Sequence, residues 1–517
     1  MSEVINVSSG PSSNHVLTHL YNVQESHIPY KRTDQIEYKN QTFMTAFKKK
    51  NGSVDYSPRA LLFDFRDGLG SLNKYEYHEK KPTISNFDPI HIIYTGRKVE
   101  KNEYQLGLDQ GTKVTGELLS STNTKYWADY NKLIYQPYSL CTLENWELPS
   151  DSSNSSDSSN FGSHKHFHNK KYSLYNQGVE EFEENPDEGL ENFRKLLENV
   201  DSFQGVNLFT ELDSAWGGFT HELIVQLRDE YFNSNSKKQI WCWSLSSATY
   251  KPKLNHLLSR IQTFIELAMS SSVFIPLNVD TNSLMLSNLD SISPWQVSST
   301  YAIIINSLWD LNSKLKDSVD MATLEDGLLR GSNSKRNIVN EFQLKQIVRK
   351  PKPKANQFGI MDVDLSAYYQ TGSITTVGST TETVEAPSSI DFSYCSGPSR
   401  AEYFSSNYIV PTNDQDLGPI EENALTNIYH DDSIGQIGNI DTFPKSIYTV
   451  PLSDTYVKFG INNSLKEELK TYRKIIKGLR RDTEVIEDKA ELIETISDFI
   501  DEYTTGYEDE SDEEYYN

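Results

Sequence analysis

The sequence predicts an α/β fold built on a parallel sheet, followed by a mixed α/β region that closes with long helices. Three observations carry that prediction. Phe203 to Tyr231 (FQGVNLFTELDSAWGGFTHELIVQLRDEY) reads as strand, tight glycine turn and helix. The opening residues repeat the pattern: Val4–Val7 as strand, Gly10 as turn, then a helix with Val16, Leu17, Leu20 and Val23 on one face. Strands and helices then alternate up to about residue 315.

Each element has its own justification. The first helix takes Ser13 or Asn14 as its N-cap, since both side chains accept from backbone N–H. Ala60–Phe65 is a short buried strand closed by the Asp67-Gly68 turn. Leu190–Val200 is a helix. In the central stretch Val206–Glu211 forms a strand, Asp213-Ser214 and Gly217-Gly218 punctuate a turn, and Thr220 caps a helix. That helix sets Leu223, Ile224, Leu227 and Tyr231 on one face. Ile240–Leu245 (IWCWSL) is a buried parallel strand. Leu254, Leu257, Leu258, Ile261 and Ile265 make a helical stripe, and Ser298–Leu315 is a helix that buries Ile303, Ile304 and Ile305. Four strands, Val4–Val7, Ala60–Phe65, Val206–Glu211 and Ile240–Leu245, belong to one sheet. The glycine turns after the first and third lie on the same edge, because ligand crevices form at strand carboxyl ends. Near the end, Ser464 and Glu467 read as a capping box opening a helix to Leu479, and a second helix spans Glu484 to Ile500.

Composition narrows the function. At 517 residues the chain has room for two or three domains. Its net charge of −24 repels phosphate backbones, so direct nucleic-acid binding is not expected. Cys141, Cys242 and Cys395 have neither metal-binding nor paired spacing, which predicts a reduced compartment. The first arginine is Arg32, and Glu3 and Glu25 precede it, a composition expected of neither a mitochondrial presequence nor a secretory signal. Tyr301–Ile305 is among the strongest apolar runs and is far below the roughly 20 residues of a membrane span. A soluble or peripherally attached protein is the expectation.

The remaining motifs are read as surface features. Ser150–Ser163 is low-complexity Ser/Asn/Asp, followed by alternating His164, His166 and His168. Such histidines can hold a transition metal weakly, but a mobile surface insertion over 150–171 is the preferred reading. Arg349–Lys354 is a basic run stiffened by prolines, read as a solvated linker rather than a site for an acidic partner or lipid head groups. Thr371–Ser389 is a Ser/Thr-rich loop, and Asp501–Asn517 carries eight carboxylates without a Lys or Arg, which predicts disorder. The eleven histidines form no Ser/His/Asp or HExxH pattern.

The wording of three stretches resembles tubulin. FQG, a strand, a turn and a helix ending LRDEY are similar to the tubulin phosphate-loop region, where LQGF precedes GGGTGSG and a helix ending IREEY. Laid backwards from LRDEY, the glycine loop falls on Leu212–Gly218 and retains only its final glycine in place. Trp216 and Asp213 then stand where backbone should approach phosphate, and Asp213 adds an opposing charge there. SEVINVSSGPSSNHVLTHLYNVQE resembles the tubulin opening, in which a strand runs into GQCGNQ. Gly10 and Asn14 match, whereas Pro11, Ser12, Ser13 and His15 depart. The resemblance implies phosphate contact at this turn and Asn14 near the base, although Pro11 has no N–H to donate. YSPRALLFDFRDG (56–68) is similar to the tubulin YVPRAILVDLEPG, with Arg66 where a carboxylate lies near the nucleotide metal. The implied fold is tubulin/FtsZ-like, with a Rossmann-like nucleotide domain. The implied site is a degenerate one of Gly10, Asn14, Arg66, Gly217 and Gly218, with no catalytic residue and no metal ligand. No resident cofactor is expected, GTP binding alone being left open.

Tyr126–Trp146 (YWADYNKLIYQPYSLCTLENW) is similar to the signature of one divergent tubulin relative, the Misato family, a W-x-D-Y/F stretch followed by a proline–serine–leucine loop. Fungal members of that family are associated with inheritance of mitochondria and mitochondrial DNA. The division implied is a Misato/tubulin-like segment over 1–120, the signature over 121–149, the insertion over 150–171, a tubulin-like segment over 172–315, a C-terminal α/β region over 316–500 and the acidic tail over 501–517. The expected role is non-catalytic partitioning of mitochondria and their DNA through protein contacts, tubulin or the cytosolic chaperonin among the candidate partners. Its expected place is the outer mitochondrial surface and cytoplasm. A tubulin- or chaperonin-associated factor for microtubule organisation is the alternative, and a polymerising GTPase is the least favoured.

Overall fold

The computed structural model describes residues 3–31, 36–48, 54–78, 99–148, 162–232, 238–246, 253–330, 336–347, 375–377, 380–382, 388–395, 401–412, 424–479, 483, 485–486 and 488–505. The N-terminal layer opens with β1 (Glu3–Ser9), α1 (Pro11–Ser26), the hairpin β2 (Met44–Lys48) and β3 (Val54–Pro58), and β4 (Ala60–Arg66). It continues through α2 (Glu103–Asp109), β5 (Leu140–Glu147), β6 (Ser163–His164), α3 (Tyr175–Glu184) and α4 (Pro186–Leu197). Then come β7 (Phe203–Glu211), α5 (Trp216–Glu230), β8 (Gln239–Ser246), α6 (Leu254–Ser270), β9 (Val273–Asn278) and α7 (Pro294–Ser313).

Seven of these strands form one sheet in the order β6-β5-β4-β1-β7-β8-β9. All its pairings are parallel except β5–β6. Val7 of β1 stands between Leu61 of β4 and Leu208 of β7, and Leu208 faces Cys242 of β8. The four strands expected together are therefore contiguous. Their apolar runs are continuous because helices cover both faces. Phe63 meets Phe219 of α5 at 4.9 Å on one face, while Phe209 faces Trp309 of α7 at 6.4 Å on the other. Trp309 in turn stacks on Phe43 at 4.0 Å and meets Tyr21 of α1 edge-on.

The C-terminal part comprises α8 (Met321–Leu329), β10 (Glu341–Gln346), the short pair β11 (Thr375–Val377) and β12 (Thr380–Glu382), and β13 (Ser389–Asp391). It ends with β14 (Tyr403–Val410), β15 (Thr426–His430), β16 (Thr455–Asn462), α9 (Leu465–Lys477) and α10 (Lys489–Glu502). Its five-stranded sheet runs β13-β10-β16-β14-β15, antiparallel except for β14–β15. Two seams join it to the first sheet. Phe274 of β9 exchanges backbone bonds with Asn337 and Val339 at 2.9 Å. At the end of β9, Asn278 N–H donates to the Phe392 carbonyl at 3.0 Å and Asp280 N–H to the Asp391 carbonyl at 2.9 Å.

Several boundaries differ from expectation. Neither Ser13 nor Asn14 caps α1: the helix begins at Pro11 with Gly10 at the N-cap, because proline suits the first helical position. Thr220 lies inside α5, donating to the Trp216 carbonyl at 2.8 Å, and the helix starts at Trp216. Ser464 forms no capping box, since its hydroxyl accepts from Asn340 at 2.8 Å instead. The last helix starts at Lys489, capped by Asp488, and α7 starts earlier than expected, at Pro294. Part of the expected 371–389 loop is the β11–β12 hairpin. The Arg349–Lys354 run, residues 150–161 of the insertion and residues 506–517 of the tail lie outside the described residues.

Candidate strand-end site

The carboxyl ends of β4, β1 and β7 lie side by side, and the turns after β1 and β7 meet there. Gly10 has φ 108°, a conformation that L side chains rarely adopt. Its N–H donates to the Phe63 carbonyl at 3.1 Å. A Cβ on Gly10 would fall 2.8 Å from Cδ1 of Trp216 and 3.0 Å from Oε1 of Glu211. Glycine is therefore required here to admit the protein's own side chains.

Two of those side chains fill the edge. Trp216 is fully buried, its ring packed on Phe65 at 5.1 Å, Tyr172 at 5.3 Å and Phe219 at 5.5 Å between centroids. Glu211, the last residue of β7, accepts the Ser12 N–H at 2.9 Å and the Ser214 hydroxyl at 3.0 Å. Pro11 has no N–H, so Ser12 offers the next one in the helix. The Glu211 carboxylate thus occupies the place at a helix N-terminus that suits an anion. Burial raises its pKa, and the Asp213 charge adds to the rise, while the Ser12 and Ser214 hydrogen bonds oppose it.

Contrary to the expectation from the sequence, Asp213 does not point an uncompensated charge into this edge. It forms an ion pair with Arg260 and accepts from Ser246 at 3.2 Å, because α6 brings the guanidinium against the turn. Gly217 and Gly218 also differ from expectation. Both lie in the first turn of α5, where added Cβ atoms would strike Thr263 Cγ2 at 2.2 Å and the Tyr175 carbonyl at 2.1 Å. They allow α5 to press on α6 and on the start of α3, and the chain turn itself is made by Leu212–Ala215.

Below Gly10, Asp64 is 1 % exposed. It accepts from Asn14 Nδ2 at 3.0 Å, Trp127 Nε1 at 2.9 Å and Phe65 N–H at 2.8 Å. Burial pushes its carboxyl up to about 6 against those hydrogen bonds. The Asn14 amide also donates to the Phe63 carbonyl at 3.0 Å, so both its protons are committed within the protein. Arg66 ends β4 in register with Glu147 beyond a bulge, partly exposed. The structure therefore brings Gly10, Asn14 and the β4 end together and turns Gly217 and Gly218 toward neighbouring helices.

The signature segment closes the site from above α1. Tyr130 is fully buried, with its hydroxyl 2.8 Å from His15 Nδ1 and its carbonyl accepting from Asn22 at 3.0 Å. His19 pairs with the Trp295 carbonyl at 2.9 Å. Desolvation lowers His15 to about 3 and His19 to about 4, so both are neutral at physiological pH. His164 serves a turn, accepting the N–H groups of His166 and Phe167 at 3.1 and 3.2 Å. Among the described residues no group of His, Cys, Asp or Glu is arranged to hold a metal ion, and no helix is long and apolar enough to cross a membrane. Sequence reasoning missed Glu211, Asp64 and Trp127. The available signal was a carboxylate at or near the end of each of the two strands that flank β1, Asp64 on β4 and Glu211 on β7.

A parallel sheet with its turns gathered on one edge, leading through a buried helix into a second mixed sheet, defines a tubulin-like protein. Sequence comparison agrees: residues 2–110 match the Misato Segment II tubulin-like domain, and residues 116–315 match the tubulin domain. The chain is 44% identical to Protein DML1 of Debaryomyces hansenii over 100% of its own length and 99% of the relative. Protein DML1 of Scheffersomyces stipitis is 37% identical and that of Candida albicans 34%, each over the full length of both chains. The chain belongs to the Misato family, in its fungal DML1 branch.

Proposed function

We propose that this protein acts in the partitioning of mitochondria and the inheritance of mitochondrial DNA, as a tubulin-like scaffold without catalysis of its own. Membership of the fungal DML1 branch supports the mitochondrial role, and the observation that carries the absence of catalysis is the self-filled strand edge. Phosphoryl transfer depends on positioned donors and metal ions around phosphate. Here Trp216, Glu211 and the Asp64–Asn14–Trp127 set occupy that edge with the protein's own groups. GTP hydrolysis is not expected. Function then resides in surfaces that bind other proteins, tubulin and the cytosolic chaperonin being the first to test, from a peripheral position on the outer mitochondrial surface.

Tagging the endogenous protein, imaging it against mitochondria and microtubules, and then depleting it tests the reading. Loss of mitochondrial DNA and clumping of mitochondria with intact microtubules is the expected result. Collapse of microtubules before any mitochondrial defect would favour a microtubule-organising role instead. Purified protein should release phosphate from GTP no faster than a Trp216→Arg control, and magnesium-dependent turnover abolished at Gly217 or Gly218 would reverse the non-catalytic assignment.

A further inference from the structure

We propose that Glu211 is a built-in ligand, an autoinhibitory contact that holds the turn after β1 shut against phosphoryl anions. The proposal rests on the non-catalytic reading of the strand edge and adds the residue that keeps it closed. Its first support is the geometry of the carboxylate. One oxygen takes the Ser12 N–H of α1 at 2.9 Å, and the other takes the Ser214 hydroxyl of the β7–α5 turn at 3.0 Å. A single side chain thus ties the two turns to each other.

The second support is independent of the helix end. Ser9 Oγ, Ser13 Oγ and Trp216 Nε1 are buried without a hydrogen-bond partner, and all three residues are fully buried. They bracket the turn: Ser9 and Ser13 flank Gly10 in sequence, and Trp216 Cδ1, bonded to that nitrogen, comes within 2.8 Å of the Gly10 Cβ position. Buried polar groups normally find partners. Each of these can donate, and donors left over by a two-oxygen carboxylate suit an anion with more oxygens. Removing the Glu211 carboxylate therefore frees the Ser12 N–H at a turn that also carries the unpartnered Trp216 indole N–H.

The test uses the full chain as wild type, Glu211→Ala and Glu211→Gln, with inorganic tripolyphosphate as the probe. Hydrogen exchange of the Gly10–Val16 segment and thermal shift with tripolyphosphate are read on each. Glu211→Ala should speed exchange at Ser12 about tenfold or more, the factor implied by loss of a hydrogen bond to a charged group. It should also bind tripolyphosphate at least about tenfold more tightly than wild type. Glu211→Gln keeps an acceptor but no charge, so its exchange should stay near wild type while its tripolyphosphate affinity rises. It also carries the test should the alanine variant not fold. Faster exchange without any gain in binding overturns the ligand assignment. So does wild-type binding as tight as that of either variant, and unchanged exchange in Glu211→Ala overturns the clasp. Wild-type GTP turnover, assayed separately, counts against the non-catalytic reading alone.

Discussion

The chain contains two strand–turn–helix units of similar wording, β1–Gly10–α1 and β7–Leu212–Ala215–α5, and they use glycine in opposite ways. In the first, glycine makes the turn: φ 108° is the reason the residue is there. In the second, the turn is made without glycine, and Gly217 and Gly218 sit in helix, where their missing Cβ atoms let α5 touch α6 and the start of α3. A glycine motif in a sequence therefore signals either a backbone conformation or a close approach, and only the neighbours decide which.

Substitution at the second unit should have the largest effect. Gly218→Ala drives a Cβ to within 2.1 Å of the Tyr175 carbonyl, a backbone atom that cannot swing away. A loss of about 3 kcal/mol or more in urea denaturation is expected. A loss below 1 kcal/mol would mean that α5 and α3 are less closely packed than described.

Gly10→Ala should lose about 2 kcal/mol, from strain at positive φ and from the contact with Trp216. The two causes separate in a double-mutant cycle. Trp216→Leu should relieve part of the Gly10→Ala penalty and none of the Gly218→Ala penalty, so equal relief would erase the distinction between the units.

Buried ionisable groups in and against the first unit couple it to pH. His15 at about 3 and His19 at about 4 lie below the unfolded histidine value of 6.5. The unfolded chain takes the proton first, so stability is lost as pH falls below about 6.5, by up to ~1.4 kcal/mol per pH unit for each ring. Asp64 works the other way. Its folded value of about 6 exceeds the unfolded carboxyl value of 3.8, so its contribution is present at low pH and is lost as pH rises from about 4 to about 6. Between pH 4.5 and 6, His19→Gln should therefore gain on wild type as pH falls, and Asp64→Asn should gain as pH rises. Matched denaturation series give both slopes, and two slopes of the same sign would show that one of these groups is wrongly placed. The smallest effect is expected from Ser214→Ala, about 1.5 kcal/mol for one hydrogen bond to the Glu211 carboxylate.

The strands were legible because a sheet buried on both faces leaves continuous apolar runs, and VINV, ALLFDF and IWCWSL mark β1, β4 and β8 directly. Helix starts were less legible. Ser13, Thr220 and Ser464 are all suitable caps by residue type, yet Thr220 bonds back to the Trp216 carbonyl one turn earlier, Ser464 is taken by Asn340, and Pro11 moves the first helix start forward. For the site, Gly10 and Asn14 could be located by resemblance, but the carboxylate partners could not. Ser12 and Glu211 are 199 positions apart, and local pattern says nothing of such a pairing.

Nucleotide-dependent folds keep time by the state of what they bind: a full, spent or empty pocket gives three different surfaces. On the proposed non-catalytic reading, an edge completed by Trp216, Glu211 and Asp64 passes through no such cycle. Its shape is set once, at folding. On that reading a partner of the protein meets the same surface whatever the cell's energy charge, and its engagement is governed by abundance, position or covalent modification.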